Sequence, residues 1–299
     1  MRLVHIILIA VLIIMGFLAH SFSTRHRNKN SLAWPDAGGA AIGTIQNGLM
    51  ATSSNNEKTR PTASIAKVIT ALAVMEKRPF NDGEEGETFT ITQNDMTNLN
   101  RYISQGGSVL PIRIGMRLTQ YEAMQRMLIA SDNNVADLLV VRIFGSLKAY
   151  ISYAQAMMKR MGLTRTMIAD ASGFNPATRS TPSELVTIGI AALKNPIIAK
   201  IVAQQSAEVP VAGVIKNTNQ LLGINGVIGI KTGTTEEAGC CLLFAARYTS
   251  RDGHRDTIVG VIMGDTNHSN LYSNSRDLLE SAKQQVTLLN MRRSKGQKL

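Results

Sequence analysis

An α+β fold is what this sequence predicts, with one sheet drawing strands from both ends of the chain and helical material inserted between them. Two observations carry the expectation. A hairpin pattern around Ala40 to Ala51 and three β-rich runs after Gly226 flank a long stretch whose apolar residues recur at helical spacing. The size suits such a fold, because 299 residues, 44% of them hydrophobic, can bury a substantial core.

Along the chain, Ala40-Ala41-Ile42-Gly43-Thr44-Ile45, a turn at Asn47-Gly48 and Leu49-Met50-Ala51 read as the hairpin. Ile65, Val68, Ile69 and Leu72 fall at i, i+3, i+4 and i+7, which predicts a helix that starts just beyond Pro61-Thr62 and stops before Pro79. Thr119-Gln120-Tyr121-Glu122 is a capping box, in which hydroxyl and carboxylate each satisfy a free N–H of the first turn, and it opens a helix through Met124, Met127 and Leu128. Thr181-Pro182-Ser183-Glu184 is a second, with proline at the first helical position, where no N–H is needed. Between them, helices are expected from about Asn133 to Ile143 and about Leu147 to Met161, closed by Gly145 and Gly162. From Gly226 the runs GVIGIKT, CLLFAARY and TIVGVIM read as strands, the last two joined by a turn at Arg251-Asp252-Gly253. A final helix is expected from about Asn274 to Leu289, and no internal repeat or low-complexity segment occurs.

The amino terminus has a different character. Met1-Arg2 precedes an apolar run from Leu3 to Ala19, interrupted only by His5, and the polar stretch His20 to Asn30 follows. That pattern is an export signal or an anchor. Ala19-His20-Ser21 resembles a small-x-small cleavage site, while the run is also near the lower length limit for spanning a bilayer, so both outcomes stay open. The expected organisation is a signal peptide or signal anchor over 1–19, a linker over 20–37, a folded region over 38–290 and a basic tail over 291–299. Its expected location is the extracytoplasmic cell envelope, in the periplasm or cell-wall space, secreted or held at the membrane by the N-terminus.

The net charge of +11 is dispersed. Modest clusters at Arg25, Arg27, Lys29 and at Arg292, Arg293, Lys295, Lys298 lack the aromatic-interleaved basic stripe of a nucleic-acid binder, so no nucleic acid is expected as partner. Anionic lipid and wall polymers suit the charge equally well. Cys240 and Cys241 are adjacent, and neighbours on a strand point to opposite faces, which implies buried small hydrophobes rather than a disulfide. The five histidines are scattered without H-E-x-x-H or a Cys/His cluster, so neither metal nor other cofactor is expected.

Three short motifs carry chemistry: Ser64-Ile65-Ala66-Lys67, Ser131-Asp132-Asn133 and Lys231-Thr232-Gly233. Ser64 falls in the first turn of the predicted helix, and Lys67, three residues on, shares its face. A serine hydroxyl is a poor nucleophile until a neighbouring base takes its proton, and a lysine is such a base when burial lowers its pKa. The helix N-terminus favours negative charge developing on the serine oxygen. Ser131 and Asn133 occupy a corner between two helices, where a hydroxyl can relay a proton to a leaving amine and an amide can hold a peptide carbonyl. Local capping of the following helix by Ser131 or Asp132 is the competing reading. Lys231 and Thr232 end a strand whose Gly229 and Gly233 allow a ligand backbone close, and Lys231 with Thr232 and Thr234 offers a cation and hydroxyls to a terminal carboxylate. A backbone N–H near Thr234 pairs in this reading with that of Ser64 as an oxyanion hole.

In this order, with gaps of 67 and 100 residues between their first residues, the motifs resemble the penicillin-recognising serine hydrolases. Pro61-Thr-Ala-Ser64-Ile-Ala-Lys67, Asp170-Ala-Ser-Gly-Phe-Asn175, Ser180-Thr-Pro-Ser-Glu-Leu185, Asn217-Thr-Asn219 and Ile230-Lys-Thr-Gly-Thr-Thr-Glu-Glu-Ala-Gly239 look like the D-alanyl-D-alanine carboxypeptidase branch, over about Ala40 to Leu289. The resemblance implies a β-lactamase/transpeptidase-like fold, a five-stranded antiparallel sheet flanked by helices beside a mostly helical subdomain. It implies Ser64 as nucleophile, Lys67 as base, Ser131 as proton relay, Asn133 as substrate-amide holder, and Lys231, Thr232, Gly233 and Thr234 as the substrate-binding strand. It also implies removal of the terminal D-alanine from peptidoglycan stem peptides through an acyl-enzyme, with β-lactams as acylating inhibitors. D,D-endopeptidase and class A-like β-lactamase are the enzymatic alternatives, and a catalytically silent cell-wall-binding protein is the alternative of another class. Ser131-Asp132-Asn133 has the β-lactamase spelling, where the carboxypeptidase branch more often has a small residue at position 132. Glu184 and Glu208, the only glutamates between the second and third motifs, lack the E-x-x-L-N context of a deacylating base.

Overall fold

A five-stranded antiparallel sheet is closed by strands from both ends of the chain, as expected. Its strands are β1 (Gly39–Thr44), β2 (Gly48–Thr52), β3 (Val227–Thr235), β4 (Gly239–Thr249) and β5 (Arg255–Asp265), in the spatial order β2-β1-β5-β4-β3. This computed structural model describes residues 31–54, 58–250 and 253–294, by backbone alone from 289 onward. The export segment, the turn residues Arg251-Asp252 and the side chains of the basic tail lie outside the described residues. Among the described residues no single helix is long and apolar enough to cross a membrane.

Between β2 and β3 come the helices α1 (Ala66–Lys77), α2 (Gln93–Ser104), α3 (Gln120–Ile129), α4 (Asn133–Phe144), α5 (Leu147–Arg160), α6 (Pro182–Lys194) and α7 (Pro196–Val202), and α8 (His268–Ser294) follows β5. Gly145 and Gly162 take φ of 83° and 76° just past α4 and α5, the left-handed stops that the sequence predicts. The Thr119 box is complete, whereas the Thr181 box is half formed. Thr181 accepts from the Glu184 N–H, but the Glu184 carboxylate turns to the Arg165 N–H and the Thr166 hydroxyl and pins the preceding loop. Two further differences have physical causes. Helix α2 is not among the expected elements, because of its twelve residues only Leu99 and Tyr102 are buried, too few for a periodic pattern. The last helix begins at His268 rather than Asn274, since Leu271 and Tyr272 bury an extra turn that shows no such period.

Alternation along the strands feeds two cores. On one face Ile42, Leu242, Phe244, Ile258 and Ile262 meet Leu271, Leu278 and Leu279 of α8. On the other, Leu243, Val259 and Val261 join a large cluster with α1, α6 and the helical region. Cys240 and Cys241 enter opposite cores as free thiols, as period-2 alternation requires. Leu32 and Trp34 pack against the α8 side, where the Ala33 N–H donates to Ser281 Oγ at 2.9 Å. Helix α1 is buried almost all round, through Val68, Ile69, Ala71, Ala73 and Val74, with Leu72 only half-buried. It is therefore the central helix of its layer rather than a surface one.

Candidate active site

The chain reaches Ser64 through Arg60-Pro61, paired antiparallel with Arg179-Ser180, and a 3-10 turn over Ala63–Ile65 that runs into α1. Ser64 thus sits in that tighter turn, just ahead of the α-helix. Ala63 holds φ at 44°, an unusual value for a residue with a side chain, and close neighbours enforce it. Gly173 packs so tightly that a Cβ there would lie 1.8 Å from the Ala63 carbonyl oxygen. On the other side a Cβ at Gly233 would lie 3.0 Å from both Ser64 N and Thr62 O, so β3 grips the serine turn backbone to backbone.

Lys67 is fully buried beneath Ser64. Its Nζ donates to Ser64 Oγ at 2.8 Å, to Asn133 Oδ1 at 2.6 Å and to the Ser172 carbonyl at 2.9 Å. Burial lowers its pKa to about 8, against the opposing pull of Asp170, then Asp132 and Asp137. The Ser172 carbonyl is aimed by Asp170, whose Oδ2 accepts from Ser172 Oγ at 2.9 Å and from the Phe174 and Asn175 N–H groups at 2.8 and 3.1 Å. Its Oδ1 accepts from the Thr178 hydroxyl.

Ser131 and Asn133 lie at the corner between α3 and α4, with Ser131 at φ 65°. Neither residue caps α4 by a side chain, and the Asn133 N–H instead donates to the Ser108 carbonyl at 2.8 Å. Asp132 at the N-cap position points away from the helix, to Arg126. The family-like spelling of this corner is therefore structural at its middle residue.

β3 is an edge strand of the sheet and, among the described residues, pairs with β4 alone. A cleft of about 260 Å³ beside it is lined by Ser64, Ser131, Thr232, Gly233 and Thr234. Lys231 is buried next to this strand end and donates to the Thr232 carbonyl at 3.0 Å. Its pKa lies well below the usual lysine value, through burial and then the charge of Lys67. Both forces disfavour its cation, so an incoming carboxylate is stabilising there. All eight residues singled out from the sequence thus converge on one cleft or its floor. A larger hollow of about 420 Å³ at the opposite end of β4, lined by Arg247, Tyr248 and Arg255, contains none of them.

Ser108, Thr218, Gln220, His268 and Tyr272 complete the lining, and of these only Thr218 stands in a motif that the sequence singles out, Asn217-Thr-Asn219. Thr218 Oγ1 lies 2.6 Å from Thr232 Oγ1, and Tyr272 donates to the Thr218 carbonyl at 3.2 Å. Asn217 and Asn219 present Thr218 by accepting the Asn219 and Leu221 N–H groups at 2.9 and 3.1 Å, a local turn chemistry that Asn-Thr-Asn signals. Among the described residues that line the cleft there is no aspartate or glutamate.

A family model described as D-alanyl-D-alanine carboxypeptidase matches residues 26–267. The D-alanyl-D-alanine endopeptidase of Pseudomonas aeruginosa is 26% identical over 69% of this chain, and the match spans 66% of that relative's length. A Streptomyces D-alanyl-D-alanine carboxypeptidase is 28% identical over 69% of this chain and 73% of its own. The crystal structure of a Streptomyces DD-transpeptidase superposes with a TM-score of 0.72 at 23% identity, over 83% of this chain and 97% of that one. Penicillin-binding protein D2 of Listeria monocytogenes, in an ampicillin-bound form, gives 0.67 at 22% identity over 83% and 98%. At these identities the two structures establish the fold.

Proposed function

We propose, for a chain that belongs to the D-alanyl-D-alanine carboxypeptidase family, that it removes the terminal D-alanine from peptidoglycan stem peptides through an acyl-enzyme on Ser64. The observation that carries the reading is the 2.8 Å contact between Ser64 Oγ and a fully buried Lys67 whose pKa is lowered to about 8. Neutral Lys67 takes the Ser64 proton as Oγ attacks the carbonyl of the D-Ala-D-Ala bond. The C–O bond forms, the oxyanion meets the backbone N–H groups of Ser64 and Thr234, and the C–N bond then breaks. Ser131 relays the proton from Lys67 to the departing amine of D-alanine. Water then attacks the ester as Lys67 takes its proton, the bond from the carbonyl carbon to Ser64 Oγ breaks, and Lys67 returns the proton to Ser64 Oγ as the shortened peptide leaves.

The edge of β3 supports the substrate assignment, since an extended peptide can add to it with Asn133 on its far side. Lys231, Thr232 and Thr234 then receive the terminal carboxylate. β-Lactams acylate the same serine, and because the ring-opened amine stays attached to the acyl group instead of leaving, it obstructs the approach of water and the adduct outlasts the peptide acyl-enzyme. Residues 38–290 form the peptidase region in this reading, with 20–37 as linker, 291–299 as basic tail, and 1–19 sending the chain to the cell envelope as cleaved signal or anchor. Cleavage of cross-links is the second reading, favoured by two relatives named endopeptidase, at 26% and 23% identity.

The test supplies purified protein with a pentapeptide ending in D-Ala-D-Ala and, separately, with a cross-linked dimer. Release of free D-alanine from the pentapeptide, abolished in Ser64→Ala, is expected. Dimer cleavage without D-alanine release would replace carboxypeptidase by endopeptidase, and no cleavage of either would refute the enzyme reading.

A further inference from the structure

One buried ion pair outside the reacting groups lies behind Ser131, beneath the lining of the cleft. Arg126 of α3 and Asp132 both have fully buried side chains, and Arg126 Nε and Nη2 each lie 3.0 Å from Asp132 Oδ2. The guanidinium's other contacts are backbone carbonyls: Nη2 donates to Pro111 O at 3.1 Å and Nη1 to Pro210 O at 3.2 Å. The Asp132 N–H returns to the Arg126 carbonyl at 3.2 Å. A single planar cation therefore fastens the corner carrying Ser131 and Asn133 to Pro111, three residues after the cleft-lining Ser108, and to Pro210 in the turn between the paired strands Ser206–Val209 and Gly213–Lys216, the second of which leads to the cleft-lining Thr218.

The brace sits where the backbone most needs it. Ser131, next to Asp132, holds φ at 65°, a conformation that costs a non-glycine residue on the order of 1 kcal/mol and persists only when its surroundings enforce it. Desolvating two charges gives back little net stability compared with an apolar pair of the same volume, so stability alone is a weak reason for this arrangement. A small residue at position 132 could not reach the guanidinium, and Arg126 would then be buried without a counter-ion.

We propose that Arg126 and Asp132 are positioning residues for acylation, holding Ser131 in its left-handed conformation so that its hydroxyl faces the Ser64–Lys67 pair. The inference rests on the proposed roles of Ser64 and Ser131. Asp132 touches no reacting atom, and because its charge also favours the Lys67 ammonium, the variants are compared on the high-pH plateau, where Lys67 is neutral in each and only the path through Ser131 remains. Loss of Asp132 lowers the acylation rate constant rather than the affinity for the acylating agent. It also adds nothing once the Ser131 hydroxyl is gone.

The experiment measures pre-steady-state acylation by a fluorescent penicillin, separating the binding constant from the acylation rate constant, for wild type, Asp132→Asn, Ser131→Ala and the double variant. A thermal melt of each confirms its fold. The expected result is a fall in the rate constant of on the order of 10- to 100-fold in Asp132→Asn, with the binding constant within about 2-fold. The double variant matches Ser131→Ala, and Arg126→Lys, which keeps the charge but not the fork, lies between wild type and Asp132→Asn. Multiplicative effects in the double variant, or wild-type rates in Asp132→Asn, would overturn the inference while leaving the acyl-enzyme reading intact. No acylation of wild type would remove that reading and this inference together. Should Asp132→Asn fail to fold, Arg126→Met/Asp132→Ala, which removes both charges, decides: folded and slow supports positioning, folded and fast overturns it.

Discussion

At Lys67, burial and hydrogen bonding pull against each other, and their balance sets the chemistry. Burial favours the neutral amine, the carboxylates of Asp170, Asp132 and Asp137 favour the ammonium, and a pKa of about 8 results. Only the neutral amine can take the Ser64 proton. Acylation should therefore be slow at pH 6, where Lys67 is charged, and rise with an apparent pKa of about 8, measured as the penicillin acylation rate across pH. Lys67→Ala should lower that rate by about 10²- to 10⁴-fold with the thermal melt still cooperative. The pair itself was legible in the sequence, because three-residue spacing on a helix is a local rule. The third contact was not, since the Ser172 carbonyl reaches Lys67 only through the fold around Asp170, across 105 positions of chain.

The elements that hold the site meet by backbone contact, and glycine marks each meeting. A methyl group at Gly233 would press on Ser64 N and Thr62 O, so Gly233→Ala should slow acylation by on the order of 10-fold or more while the melt changes little. Gly173→Ala is a different case: with φ at 74° and a Cβ 1.8 Å from Ala63 O, the loop must move, and the melting temperature should fall sharply. Far from the cleft, Thr119→Ala removes a capping hydroxyl and should cost about 1 kcal/mol with unchanged acylation, which separates stability from chemistry. The helices with strong caps and glycine stops were legible within a residue or two. Helix α2 was not, although its Thr92–Asp95 capping box was present, because that box introduces a mostly solvated face rather than an apolar run.

Over the whole molecule, the sheet is the device that brings a motif at residue 231 to one at residue 64. β1, from the start of the folded region, pairs with β5, and β4 carries β3 to the far edge against the serine turn. The order of strands and helices in the sequence anticipated this closure. His268 and Tyr272 were invisible to it, because they reach the cleft from a helix start that only the packing of α8 on the sheet brings there. Phe244, fully buried between β4 and α8, ties the two layers, and Phe244→Ala should destabilise the protein by about 3–5 kcal/mol, read from denaturant unfolding followed by the fluorescence of Trp34. The claim on which the rest depends is that Ser64 is the acylated residue. Peptide mapping by mass spectrometry after brief exposure to a penicillin tests it directly: a single stable adduct on Ser64, absent in Ser64→Ala, is the predicted result, and an adduct on any other residue, or none on wild type, would contradict it.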